Sequence, residues 1–166
     1  MMSLGLVFVL LCALASVTAA ENTRRCPEGF LEHGSSCYWF SRIKGSFAEA
    51  RSYCQFFGSH LARITSKDED DFIRSKVNKT ENGSPGYWLG GTDLMKEDTF
   101  MWEGGSPLSY DKWSPGQPDN NKNNPQTTEN CLMLYKEYHY MWNDYPCVRK
   151  VNFICERRAS TCCCKI

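Results

Sequence analysis

Residues 114–130 read SPGQPDNNKNNPQTTEN, and the apolar run CLMLY follows at 131–135. The first stretch contains Pro, Gly, Asn, Gln and Thr but no aliphatic residue. It is too polar to pack, so it is a surface loop, and a loop of this length in a compact domain is either functional or disordered. Its carbonyl-bearing side chains favour a site. Gln117, Asp119 and Glu129 lie in it, and Asn143 and Asp144 make a second polar spot directly after Trp142. Together they supply three carboxylates and two amides, the hard oxygen donors of which calcium takes six to eight.

Outward from that loop, short apolar runs at residues 87–89, 100–102, 131–135 and 151–155 alternate with turn-rich stretches and read as strands. Helical spacing appears only earlier in the chain. Ser46 with Glu49 forms a capping box, and Phe47, Ala50, Cys54 and Phe57 then fall on one helical face before Gly58 ends the run. Ser66 with Glu69 repeats the signature, and Phe72, Ile73 and Val77 give a second helix its apolar face. The acidic run at residues 68–71 suits the positive end of that helix better than it suits a metal. Cys26 to Cys37, with Gly29 and Gly34 between them, looks like a hairpin, and residues 38–40 the next strand. The predicted layout is α+β, helices first and strands after.

Residues 1–20 carry no charge, are rich in Leu and Val, and end in Ser16, Thr18, Ala19 and Ala20. This is the pattern of a secretory signal peptide; an uncleaved anchor is the competing reading. Cleavage leaves about 146 of the 166 residues, enough for one domain over residues 21–158 and a Cys-rich tail over 159–166. The 19 basic and 19 acidic residues balance, so neither nucleic acid nor an anionic membrane surface is indicated as a partner. Cys12 leaves with the signal. The other cysteines are Cys26, Cys37, Cys54, Cys131, Cys147 and Cys155, plus Cys162, Cys163 and Cys164 in the tail. In an oxidising compartment the first six read as three bridges with fifteen possible pairings, and the odd tail leaves a thiol free or joined to another chain. No Cys-x-x-Cys pair faces a partner at zinc spacing.

Several short sequences now stand in a telling order: Trp88-Leu89-Gly90-Gly91, Gln117-Pro118-Asp119, Glu129-Asn130-Cys131, Trp142-Asn143-Asp144 and Cys155-Glu156. Each alone is weak, but in this order and with these cysteines the chain from Cys26 to about Glu156 resembles a C-type lectin domain of the long form. The resemblance implies two helices on small antiparallel sheets, with bridges Cys26–Cys37, Cys54–Cys155 and Cys131–Cys147. It implies one calcium held by Gln117, Asp119, Glu129, Asn143 and Asp144, with a cis bond before Pro118. It also implies a sugar bound to that calcium through two neighbouring hydroxyls, which bond in turn to the site's acids and amides. In the family the Gln-Pro-Asp order goes with galactose or N-acetylgalactosamine. A stacking Trp that galactose binders often carry two residues later is Asn121 here, so Tyr138 and His139 are the expected substitutes. An auxiliary calcium would use Asp93 and Glu97, but its other two positions are Asn120 and Asn130 in place of acids, which lowers its affinity for a dication.

Other residues read more plainly. Trp88 and Trp102 belong to a core rather than to a stacking platform. His33, His60 and His139 have no nucleophile signature near them, so no enzyme is indicated. Asn78 and Asn82 open N-glycosylation sequons. Cys162, Cys163 and Cys164 either fray or link chains into a homo-oligomer, which would multiply weak single sites. The expectation is a secreted calcium-dependent lectin for galactose-type glycans in innate immunity. The rival is the same fold binding a protein, ice or a mineral.

Overall fold

The computed structural model describes residues 24–79, 83–121 and 127–161. The signal segment, Asn82 and the three tail cysteines fall outside the described residues. Ten strands and two α-helices are present among them. In chain order they are β1 Arg24–Arg25, β2 Leu31–His33, β3 Ser36–Phe40, α1 Phe47–Phe56, β4 His60–Leu61, α2 Lys67–Val77 and β5 Gly86–Thr92. Then come β6 Met101–Trp102, β7 Cys131–Tyr135, a 3-10 turn Lys136–Tyr138, β8 Met141–Tyr145, β9 Asn152–Arg158 and β10 Ser160–Thr161.

The helices start where the sequence says, for different reasons. At Ser46 the capping box closes both ways: the Ser46 Oγ accepts from Glu49 N–H, and Glu49 Oε2 accepts from Ser46 N–H at 2.7 Å. At Ser66 only half of it forms. Glu69 is buried, and its carboxylate turns away to accept from Tyr38 Oη and from Thr65 N–H at 2.7 Å. Tertiary partners have claimed the side chain that a capping box would keep local. Phe57 lies past the end of α1, as its C-cap, and is 46% exposed instead of joining the apolar face.

The main sheet runs β2-β3-β9-β5-β7-β8, with β4 on β9 and β6 on β5. Among these strand pairs only β5–β9 is parallel. β4 sits between the two helices in sequence, and β2 and β3 precede both, so strands and helices interleave more than the predicted helix-then-strand order. Tyr87 and Leu89 of β5, with Leu132 and Leu134 of β7, enter one core cluster that includes Ile73 and Val77 of α2. Their neighbours Trp88, Cys131 and Met133 enter the other, with Phe47, Ala50 and Cys54 of α1. Successive strand residues point to opposite faces, so strands covered on both sides read as unbroken apolar runs.

Three bridges staple this frame: Cys26–Cys37, Cys54–Cys155 and Cys131–Cys147. The second ties α1 to β9, and the third ties the start of β7 to the segment after β8. Trp88 and Trp102 are core residues, 0% and 2% exposed, as the sequence predicts.

Candidate functional site

The site grows from one end of the β7–β8 hairpin. Antiparallel register sets Cys131 opposite Tyr145 and Leu132 opposite Asp144. Glu129, just before β7, and Asp144, late in β8, therefore emerge at the same end. The Gln117–Asp119 segment is led there by Ser114, whose N–H donates to Trp142 O, and by Gln117 N–H, which donates to Ser114 O, both at 2.9 Å. The Gln117–Pro118 peptide is cis. Asp144 then gathers the loop: its carboxylate accepts Asp119 N–H at 3.1 Å and Asn120 N–H at 2.6 Å. Asn120 and Asn121 hold left-handed backbone, φ 47° and 50°, a conformation that Asn tolerates better than most residues.

The result is a convergence of like charge. Ligand oxygens of Asp119, Glu129 and Asp144 all lie within 4.8 Å of one another, the one such group of three among the described residues. Burial pushes the Glu129 carboxyl up to about 7, and the negative charges of Asp144 and Asp119 add to that shift. Asp144 is raised too, chiefly by burial, against the pull of the backbone N–H groups it accepts. Gln117 Oε1 is buried without a hydrogen-bond partner. Asn143, buried in β8, turns its amide N–H onto the main-chain carbonyl of Asp144. Three crowded carboxylates and an orphaned amide oxygen, with no nitrogen or sulfur donor among them, fit a hard dication such as calcium.

The second set is built differently. Asn120 Oδ1 accepts Glu129 N–H at 2.7 Å, which fixes the amide so that Nδ2 donates to Glu97 Oε1 at 2.6 Å. Asn130 Nδ2 donates to Glu97 Oε2 at 3.4 Å. Asp93 Oδ2 accepts Asp98 N–H at 3.1 Å. Both Glu97 oxygens thus accept from amide hydrogens, while Asp93 Oδ1 is buried without a hydrogen-bond partner.

Tyr138 and His139 lie at the opposite end of the hairpin. Tyr135 pairs with Met141 there, and His139 O accepts from Arg74 of α2 at 2.9 Å. The Tyr138 ring packs on Tyr135 at 5.0 Å, and Tyr135 in turn stacks on Tyr145 at 6.1 Å. Asn78 is an exposed helix cap of α2. A separate cavity of 420 Å³, lined by His33, Tyr38, Arg63, Glu69, Glu156 and Arg158 among others, mixes both signs of charge. The carboxylate cluster is not part of it.

The Lectin C-type domain family model matches residues 43–157, and the chain belongs to this family. It is 48% identical over 133 residues to perlucin of Haliotis laevigata, covering 80% of this chain and 83% of perlucin. It is 36% identical to the galactose-specific lectin nattectin of Thalassophryne nattereri, covering 91% of this chain and 94% of nattectin. The carbohydrate-recognition domain of the mouse scavenger receptor C-type lectin superposes with a TM-score of 0.74 at 34% identity, covering 82% of this chain and all of that domain. A calcium-independent type II antifreeze protein shares the fold as well, with a TM-score of 0.71 at 25% identity, covering 84% of this chain and 99% of that one. Among the described residues no helix is long and apolar enough to cross a membrane.

Proposed function

We propose that this protein is a secreted, calcium-dependent carbohydrate-binding protein for galactose-type sugars, and not an enzyme. The observation that carries the reading is the approach of Asp119, Glu129 and Asp144 to within 4.8 Å, an arrangement of like charges that a dication relieves. Gln117, Asp119, Glu129, Asn143 and Asp144 would hold the ion. Calcium held there would supply Lewis-acid coordination to two neighbouring sugar hydroxyls. The chain's own acids would then accept hydrogen bonds from the hydroxyls, and its amides would donate to the hydroxyl oxygens.

The Gln117-Pro118-Asp119 order and the likeness to a relative named as galactose-specific support the choice of sugar. Glycans on glycoproteins or microbial surfaces are the proposed partners, with innate recognition as the setting. Interchain bridging through Cys162, Cys163 or Cys164, and glycosylation at Asn78 or Asn82, belong to the same proposal. The test is glycan-array binding of the mature protein in calcium, in chelator, and with free galactose or mannose as competitor. Chelator-sensitive binding competed by galactose supports the reading. Competition by mannose keeps the lectin and removes the sugar assignment. Binding to no glycan turns the assignment to the other uses of this fold, a protein, ice or mineral surface.

A further inference from the structure

Asn120 is bonded on three sides to three separate segments. Its main-chain N–H donates to Asp144 Oδ2 in β8 at 2.6 Å, its Oδ1 accepts Glu129 N–H at 2.7 Å, and its Nδ2 donates to Glu97 Oε1 at 2.6 Å. Two of these partners, Asp144 and Glu129, belong to the carboxylate cluster; the third, Glu97, lies outside it in the exposed 94–99 turn. The left-handed φ of 47° lets one residue present backbone and amide in these directions at once.

The geometry points to Asn120 as the positioning residue of the candidate calcium site. By this inference it sets Glu129 and Asp144 at the separation the ion needs and ties them to the Glu97 turn. This rests on the calcium reading of the cluster. Three carboxylates that repel one another splay apart unless something outside the cluster holds them, and the charge-assisted bond to Glu97 is that brace. Groups that orient ligands from behind typically govern metal affinity by about 10–100-fold.

The experiment is calorimetric calcium titration of the purified full-length mature protein and of Asn120→Ala, Asn120→Asp and Asn120→Asp/Glu97→Gln. Asn120→Ala is expected to bind calcium at least about tenfold more weakly. Asn120→Asp removes the donor and sets a carboxylate against Glu97, so it too weakens binding at the Asp119–Glu129–Asp144 cluster, read as the galactose-competent step; the same change returns an acid to the Asp93–Glu97 set, and any ion taken there is counted as a separate titration step. The double variant inverts the pair, with the new amide at position 97 donating to the new carboxylate at position 120. It is expected to recover most of the affinity lost in Asn120→Asp; a role in folding alone would not follow this exchange. Binding by Asn120→Ala within about twofold of wild type, or no recovery in the double variant, overturns the inference while leaving the calcium reading intact. Failure of the wild type itself to bind calcium overturns both.

Discussion

Asp144 and Asn120 are joined by a 2.6 Å hydrogen bond across a sequence separation of 24 residues, from the Asn120 main-chain N–H to Asp144 Oδ2. One buried carboxylate therefore does two things: it anchors a polar loop that has no aliphatic residue of its own to pack, and it contributes charge to the cluster. Asp119 contributes charge with far less anchoring, accepting Asn121 N–H at 3.1 Å.

That division separates two variants. Asp119→Ala is expected to weaken calcium binding by about 100-fold or more and to abolish retention on immobilised galactose, with the melting temperature in chelator almost unchanged. Asp144→Ala loses calcium and also lowers the melting temperature in chelator, because Asp119 N–H and Asn120 N–H lose their acceptor. Thermal melts in calcium and in chelator check both.

The pH dependence follows from Glu129. With its carboxyl pushed up to about 7 in the calcium-free protein, ion binding below that pH must expel a proton. Apparent calcium affinity is expected to fall by about tenfold per pH unit as pH drops below 7, levelling above it. Folding stability in chelator has the opposite slope. A carboxyl whose folded pKa is raised keeps a proton that the unfolded chain has released, so stability falls as pH rises from 4.5, its ordinary value, to about 7. Calcium titrations and melts between pH 5 and 8 test the two signs together.

Gly86 in β5 has no space for a side chain: a Cβ there would lie 2.0 Å from Leu134 O, a backbone atom of β7. Gly86→Ala is expected to destabilise by about 3 kcal/mol or more, or to prevent folding. Gly34→Ala serves as the contrast, since nothing lies within 4 Å and only its φ of 58° opposes the change. Denaturant unfolding of both variants ranks them.

Replacing Cys54 and Cys155 together opens a bridge spanning 101 residues. Chain entropy alone puts the loss on the order of 4–5 kcal/mol, and packing of the two side chains in the core adds to it. Urea unfolding of the double Ala variant, compared with one lacking Cys26 and Cys37 at a separation of 11, should show the larger loss in the former.

What the sequence reveals follows the range of the interaction. The Ser46–Glu49 box works within four residues and is readable from the letters. Ser66–Glu69 has the same letters, yet Glu69 is taken by Tyr38, 31 residues away, and no local rule anticipates that. Trp88 and Trp102 fall in the core as apolar strand patterning requires. Phe57 escapes it because α1 stops one residue short. At the site, the polar stretch and its oxygen donors are visible as composition. The hub at Asn120 is not, because its three partners come from segments that only the fold brings together. Tyr138 and His139 lie in the turn between β7 and β8 and Asp144 lies late in β8, so their main chains leave from different ends of the hairpin, a separation that closeness in sequence does not reveal.

The two-stranded ribbon of β1 and β10 pairs Arg24 with Thr161 and Arg25 with Ser160, so the first and last of the described residues lie side by side. Mechanically, this makes the folded unit a pendant rather than a link. Tension applied through both ends peels a ladder two residues long and then meets the Cys26–Cys37 staple. β5, β7 and β8, which carry the cluster, lie outside that line of force.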